Sequence, residues 1–170
     1  MKIFIIIIIS IVFGIIFYVL YSNQIYNPLE NHNSKIFGIE DVKIEKLHQK
    51  DFLGVSAKNE LFEIYLYKIE NANINNSYPD FRIWEGKEVG KDNIILHWQN
   101  CPLDSQTINL FEFSLNYKDI SSLNWAQNLL NETKNNENYY SYVHFSDLEQ
   151  YFLLYCSTKN ELFYIRKKGF

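Results

Sequence analysis

The chain has 170 residues, a formal net charge of −4 and 17% aromatic residues, a length that suits one domain after a short N-terminal segment and a composition that can fill a core without structural metals or many disulfides. Lys and Arg are dispersed, and the one tight basic cluster is Arg166, Lys167 and Lys168, so the basic stripe that a nucleic-acid binder needs is missing. The skew toward Ile, Asn, Lys, Tyr and Phe matches AT-rich codons, so aromatic richness alone does not argue for carbohydrate stacking.

Residues 3–21 read IFIIIIISIVFGIIFYVLY, and no charged residue occurs from Ile3 through Leu29. As a helix this run is about 28 Å long, close to the hydrocarbon thickness of a bilayer. Tyr18, Tyr21 and Tyr26 lie toward its exit end, where aromatic rings favour the interface. The run is longer than the apolar stretch of a cleaved signal peptide, and Val19–Tyr21 offers no small-residue site. The first Cys is Cys101, which excludes a lipoprotein signal, and Ile7 and Ile8 stand where a type IV pilin carries Glu. Lys2 precedes the run, and Ser22 to Ser34 holds Glu30 but no Lys or Arg, so the N-terminus is expected in the cytoplasm and the head outside. The expected organisation is a signal-anchor helix over residues 1–22, a linker over 23–35 containing Pro28, and an extracytoplasmic domain over 36–170.

Within the domain, Glu60 to Lys68 alternates Phe62, Ile64 and Leu66 against Glu63, Tyr65 and Tyr67, the period of a strand. Asp80 to Glu85, after Pro79, is expected as a short helix with Phe81 and Trp84 on one face. Asn93 to Trp98 and Thr107 to Tyr117 read as strands, the latter with Phe111, Phe113 and Leu115 on one face. Asp119 to Thr133 has helical spacing at Leu123, Ala126 and Leu130. Tyr139 to Phe145, Gln150 to Ser157 and Leu162 to Lys167 read as three strands joined by turns too short for anything but antiparallel pairing. The expected fold class is therefore α+β, with a mostly antiparallel sheet and one or two helices.

One internal similarity is present: SAKNELF at Ser56 to Phe62 and STKNELF at Ser157 to Phe163. Two independent hairpins that reuse a turn-favouring Lys-Asn account for it, with a duplicated hairpin unit as the alternative.

Candidate chemistry is sparse. Outside the cytoplasm Cys101 and Cys156 are a candidate disulfide, closing a loop worth up to about 4 kcal/mol. His97 with Cys101, and His144 with Cys156, lack the tight spacing of a zinc site, so no metal is expected. Cys101 with His144 could form a nucleophile pair, but no local motif accompanies them. No phosphate-binding glycine loop, G-x-S-x-G or H-E-x-x-H occurs, so neither cofactor nor catalytic residue is assigned. Among Glu63, Asp80, Glu85 and Glu112, the last sits in the expected strand among apolar residues and is the acid to check for burial. These features lead to a membrane-anchored, extracytoplasmic accessory or protein-binding module, held in the membrane by residues 3–21 and without catalytic activity. The alternatives are a toxin-neutralising immunity protein acting outside the cytoplasmic membrane and a small hydrolase whose pocket would use Glu112 or His144.

Overall fold

The distribution of apolar residues decides which strands lie in the middle of the sheet. A computed structural model describes Phe13 and residues 44–54, 60–70, 72, 74, 83–84, 87–88, 93–146 and 148–169. Among these residues the strands are β1 (Ile44–Asp51), β2 (Leu61–Ile69), β3 (Ile83–Trp84), β4 (Lys87–Glu88), β5 (Ile94–Asn100), β6 (Tyr139–Ser146), β7 (Glu149–Cys156) and β8 (Glu161–Lys168). Six of them form one antiparallel sheet in the order β1-β2-β8-β7-β6-β5, and β3 pairs with β4 alone.

All eight residues of β7 are buried, and β2 and β8 bury apolar side chains on both faces. Strands covered on both sides read as near-continuous apolar runs, which is why these three stand out in the sequence. The edge strand β1, IEKLHQKD, is exposed at every position after Ile44 and was not expected from its sequence. Its charged side chains and the bulge between Lys46 and His48 blunt an edge that would otherwise invite pairing. The α+β class with an antiparallel sheet is the architecture observed. The helix expected at 80–85 does not form at Ile83–Trp84, which is strand, and the rest of that span lies outside the described residues.

The strand expected over Thr107 to Tyr117 is instead helix α1 (Ser105–Leu115). Asp104 caps it: its carboxylate accepts from the Thr107 backbone N–H at 2.7 Å and from the Thr107 hydroxyl at 3.1 Å, meeting an otherwise orphaned donor. The face α1 buries carries Thr107, Phe111, Ser114 and Leu115, a helical spacing in which two of four residues are small and polar. Ile108 and Phe113 are 46% exposed, so the apolar alternation that suggests a strand is partly a surface feature.

The single helix expected over 119–133 is replaced by two short ones, α2 (Lys118–Ser121) and α3 (Leu129–Glu132), joined by turns. Hydrogen bonds between them step back three residues, from Leu123 N–H to Ile120, Ala126 to Leu123 and Leu129 to Ala126. The hydroxyls of Ser121 and Ser122 donate to the carbonyls of Lys118 and Asp119 at 2.7 and 2.6 Å, competing with a continuous α-helical ladder.

The helical layer covers one face of the sheet. Phe111 meets Tyr142 of β6 and Phe152 of β7 at ring-centroid distances of 5.2 and 5.0 Å, while Phe113 meets Phe62 of β2 at 5.6 Å. Thus α1 crosses the sheet from β6 toward β2. The other face carries a tyrosine layer in which Tyr65, Tyr67, Tyr151 and Tyr164 are buried and neighbouring rings lie 5.9–6.4 Å apart. Ala72 and Ile74 pack against it.

The chain divides into two units, Met1–Asn33 and Ser34–Phe170. Among the described residues no helix is long and apolar enough to cross a membrane. Of the apolar run 3–21 only Phe13, which is helical, is described; the expected anchor otherwise lies outside the described residues.

Candidate functional site

The outward side of the helical layer is concave. Leu103 enters it just before α1, and its N–H donates to the Thr133 carbonyl at 3.2 Å, joining the start of α1 to the end of α3. Two residues earlier, the Cys101 N–H donates to the Asn138 carbonyl at 2.9 Å. These bonds hold the segment 129–134 alongside α1 with a groove between them.

The groove has two lobes that share Leu115, Asn116 and Leu130. The larger, about 240 Å³, has a floor of buried Leu103, Leu115 and Thr133, with Ile108 and Glu112 on the α1 wall and Leu130 and Lys134 on the other. The smaller, about 140 Å³, continues to Ile120, Ala126 and Gln127 and has no charged residue in its lining. Ile108 is 46% and Leu130 41% exposed, so large apolar side chains stand at the rim of an apolar floor. Glu112 and Lys134, on opposite walls, are both exposed, and among the described residues neither forms an ion pair. Elsewhere three pairs are matched internally: Glu63 with Arg166 at 3.2 Å, Glu149 with Lys168 at 3.9 Å, and Glu132 with Lys159.

No family model, curated protein or solved structure matches this chain. The candidate site therefore rests on its own geometry.

The candidate residues read from the sequence are scattered in space. Glu112 was expected in a strand; it lies on the exposed side of α1 and lines the larger lobe. His144 is buried on β6 and does not line that lobe, so the structure does not bring the two proposed hydrolase residues into one pocket. His97 is exposed on β5. Among the described residues no group of three or more His, Cys, Asp or Glu side chains is arranged to hold a metal. Asp80 and Glu85 lie outside the described residues. The basic cluster is used internally: Arg166 and Lys168 pair with acids, and the Lys167 ammonium sits 5.1 Å from the Phe113 ring centroid.

The expected Cys101–Cys156 disulfide meets two free, buried thiols. Register explains their separation. Asn100 pairs with Tyr139 on one side of β6, and Tyr155 pairs with Tyr139 on the other. Cys101 and Cys156 thus flank the start of β6, about two strand spacings or ~10 Å apart, beyond the roughly 4.4–6.8 Å Cα separation of a disulfide. Burial, reinforced by the nearby Glu132 carboxylate, pushes the Cys101 thiol up to about 12 and the Cys156 thiol up as well, so neither is a ready nucleophile. Burial would also raise Glu132, but hydrogen bonds from Lys159 and Asn138 outweigh it and hold the carboxyl below its ordinary value.

The groove residues Ile108, Leu130 and Lys134 escaped sequence reasoning. An exposed Ile or Leu has no local signature, and Leu130 was expected on the buried side of a longer helix that does not form.

Proposed function

We propose that this protein is a membrane-anchored, extracytoplasmic protein-binding module. Residues 3–21 hold it in the bilayer, and the head engages its partner through the groove between α1 and residues 129–134. The observation that carries this reading is the placement of exposed Ile108 and Leu130 beside the buried floor of Leu103 and Leu115. Large apolar side chains around a concave apolar floor mark interaction sites, because water leaves such a surface at a gain when a complementary side chain enters. The sequence contributes the location: an uncharged apolar run preceded by Lys2 and followed by a stretch without Lys or Arg.

The test uses the full chain in its own membranes. A photo-crosslinking amino acid at Asn131, exposed beside Leu130 but outside the groove lining, should give a discrete adduct. The same probe at Lys46, on the exposed edge strand, should not, and Leu130→Glu should abolish the Asn131 adduct. Equal labelling at the two positions, or none at Asn131, would overturn the reading. Protease added to intact spheroplasts should digest the head; a protected head would overturn the orientation.

A further inference from the structure

Resting on that reading, we infer that the occupant of the groove is an amphipathic helix of about two turns from a partner protein, carrying a basic residue opposite Glu112 and an acidic residue opposite Lys134. The length comes from α1. Ile108, Glu112, Leu115 and Asn116 line the groove, so it follows α1 over eight residues, about 12 Å at 1.5 Å per residue. The smaller lobe extends the path past α1 toward Ile120 and Gln127.

The conformation comes from hydrogen bonding. A segment entering an apolar groove loses water from its backbone N–H and C=O groups and must pair them elsewhere. Here the walls are helices and i→i+3 turns, and no strand of the described residues lines the groove. An extended peptide would therefore find no ladder, whereas a helix satisfies its backbone internally and presents side chains at i, i+3, i+4 and i+7. Two lobes separated by Leu115 and Leu130 suit successive apolar anchors of such a helix.

The polarity comes from the two charges. Glu112 and Lys134 face the same lobe from opposite walls, without ion pairs among the described residues, so each presents an uncompensated charge to an occupant of that lobe. An occupant with the opposite signs in register is favoured, and one with like charges there is disfavoured.

The closing experiment is the Asn131 photo-adduct of the full chain in its native membranes, with charge variants added. Glu112→Lys and Lys134→Glu should each lower adduct yield roughly threefold to tenfold, the range expected when a rim attraction becomes a repulsion. Glu112→Gln and Lys134→Gln should lower it less and reduce its dependence on salt. An adduct whose yield ignores both reversals would overturn the charge assignment while leaving the groove as a binding site. An adduct mapping to a β-strand or loop of the partner would overturn the helical occupant. Absence of any adduct would overturn the binding-module reading and this inference with it.

Discussion

Ile64 and Ile165 pair across the β2–β8 ladder, and each stands two residues after the Phe that ends one copy of the near-repeated segment, SAKNELF or STKNELF. The strand portions of the two copies thus meet about a local two-fold axis between those isoleucines. The hairpin β7-β8 and the antiparallel pair β1-β2 lie on either side of it, in the sheet order β1-β2-β8-β7. Read as sequence, the two segments pass for unrelated hairpins. The structure gives equivalent places to their described strand ends, Leu61–Phe62 and Leu162–Phe163, on which the duplicated-unit alternative also depends.

Both isoleucines are buried in the core beneath α1, at 0% and 1% exposure. Ile64→Ala and Ile165→Ala should each cost about 3 kcal/mol through lost burial and the cavity left behind. Because the two sites are neighbours, the double variant should depart from the sum of the single costs by at least about 0.5 kcal/mol. Urea unfolding of the detergent-solubilised chain measures all three. Strict additivity would mean that the pair does not share one packing site.

Asn160 closes the β7-β8 hairpin with a φ of 51°, in the left-handed region. Its side chain accepts from the Tyr155 hydroxyl at 3.1 Å, and its carbonyl accepts from the Ile69 N–H at 2.9 Å, tying the turn to the end of β2. Asn160→Gly keeps the backbone geometry and should cost at most about 1 kcal/mol, the worth of the lost hydrogen bond. Asn160→Val adds the penalty of a β-branched residue in that region and should cost about 2–3 kcal/mol. Equal urea midpoints for the two variants would show that the turn relaxes to another conformation.

The central strands were legible because burial on both faces leaves dense apolar runs rich in aromatic and branched residues, LFEIYLYKI and EQYFLLYC. The helical layer was not. In α1 the buried face is half Thr107 and Ser114, while Ile108 and Phe113 are each 46% exposed, so periodicity points to the wrong element. What places α1 is the Asp104 cap, completed by the Tyr140 hydroxyl, which donates to the same carboxylate at 2.9 Å from 36 residues away. The groove was invisible for a related reason. Its walls come from residues 102–117 and 120–134, and only their packing makes a hollow of them.

Ionisation of the buried tyrosines should limit stability at high pH. Burial, with Glu63 beside it, pushes Tyr65 up to about 12, and burial with the hydrogen bond to Asp104 pushes Tyr140 up to about 12, from an ordinary value of 10.0. Their pKa values are raised in the folded state, so the unfolded chain loses these protons first. Their contribution is intact below about pH 10 and is lost as pH rises through about 12. The acid side runs the other way. The Thr107 and Tyr140 hydrogen bonds hold Asp104 below its ordinary 3.8, so its contribution is present above that value and lost as pH falls below it. Tyr140→Phe should therefore flatten both limbs of a plot of urea midpoint against pH, whereas Tyr65→Phe should flatten only the alkaline limb. An unchanged alkaline limb in both variants would remove these tyrosines from the account.

The thiols provide the last test, because here sequence and structure point to different outcomes. The proposed extracytoplasmic location would favour a disulfide between the two cysteines, yet they lie on opposite flanks of β6, and each is buried. Bringing their Cα atoms within bonding range would require pulling one flank across the Tyr139–Tyr155 pair and breaking the ladder there. The native chain, prepared without reductant, should thus resist a thiol-reactive dye, since both sulfurs are buried and held as thiols by their surroundings. In denaturant, still without reductant, two equivalents of dye should react per chain. Cys156→Ala, at a site that is 0% exposed in the main core, should destabilise by about 1 kcal/mol or more through the lost packing alone. Cys101→Ala should act independently of it. If denatured chains react only after reduction, or the two cysteine variants prove strongly coupled, the sulfurs are joined and the strand register at the start of β6 differs from the one described.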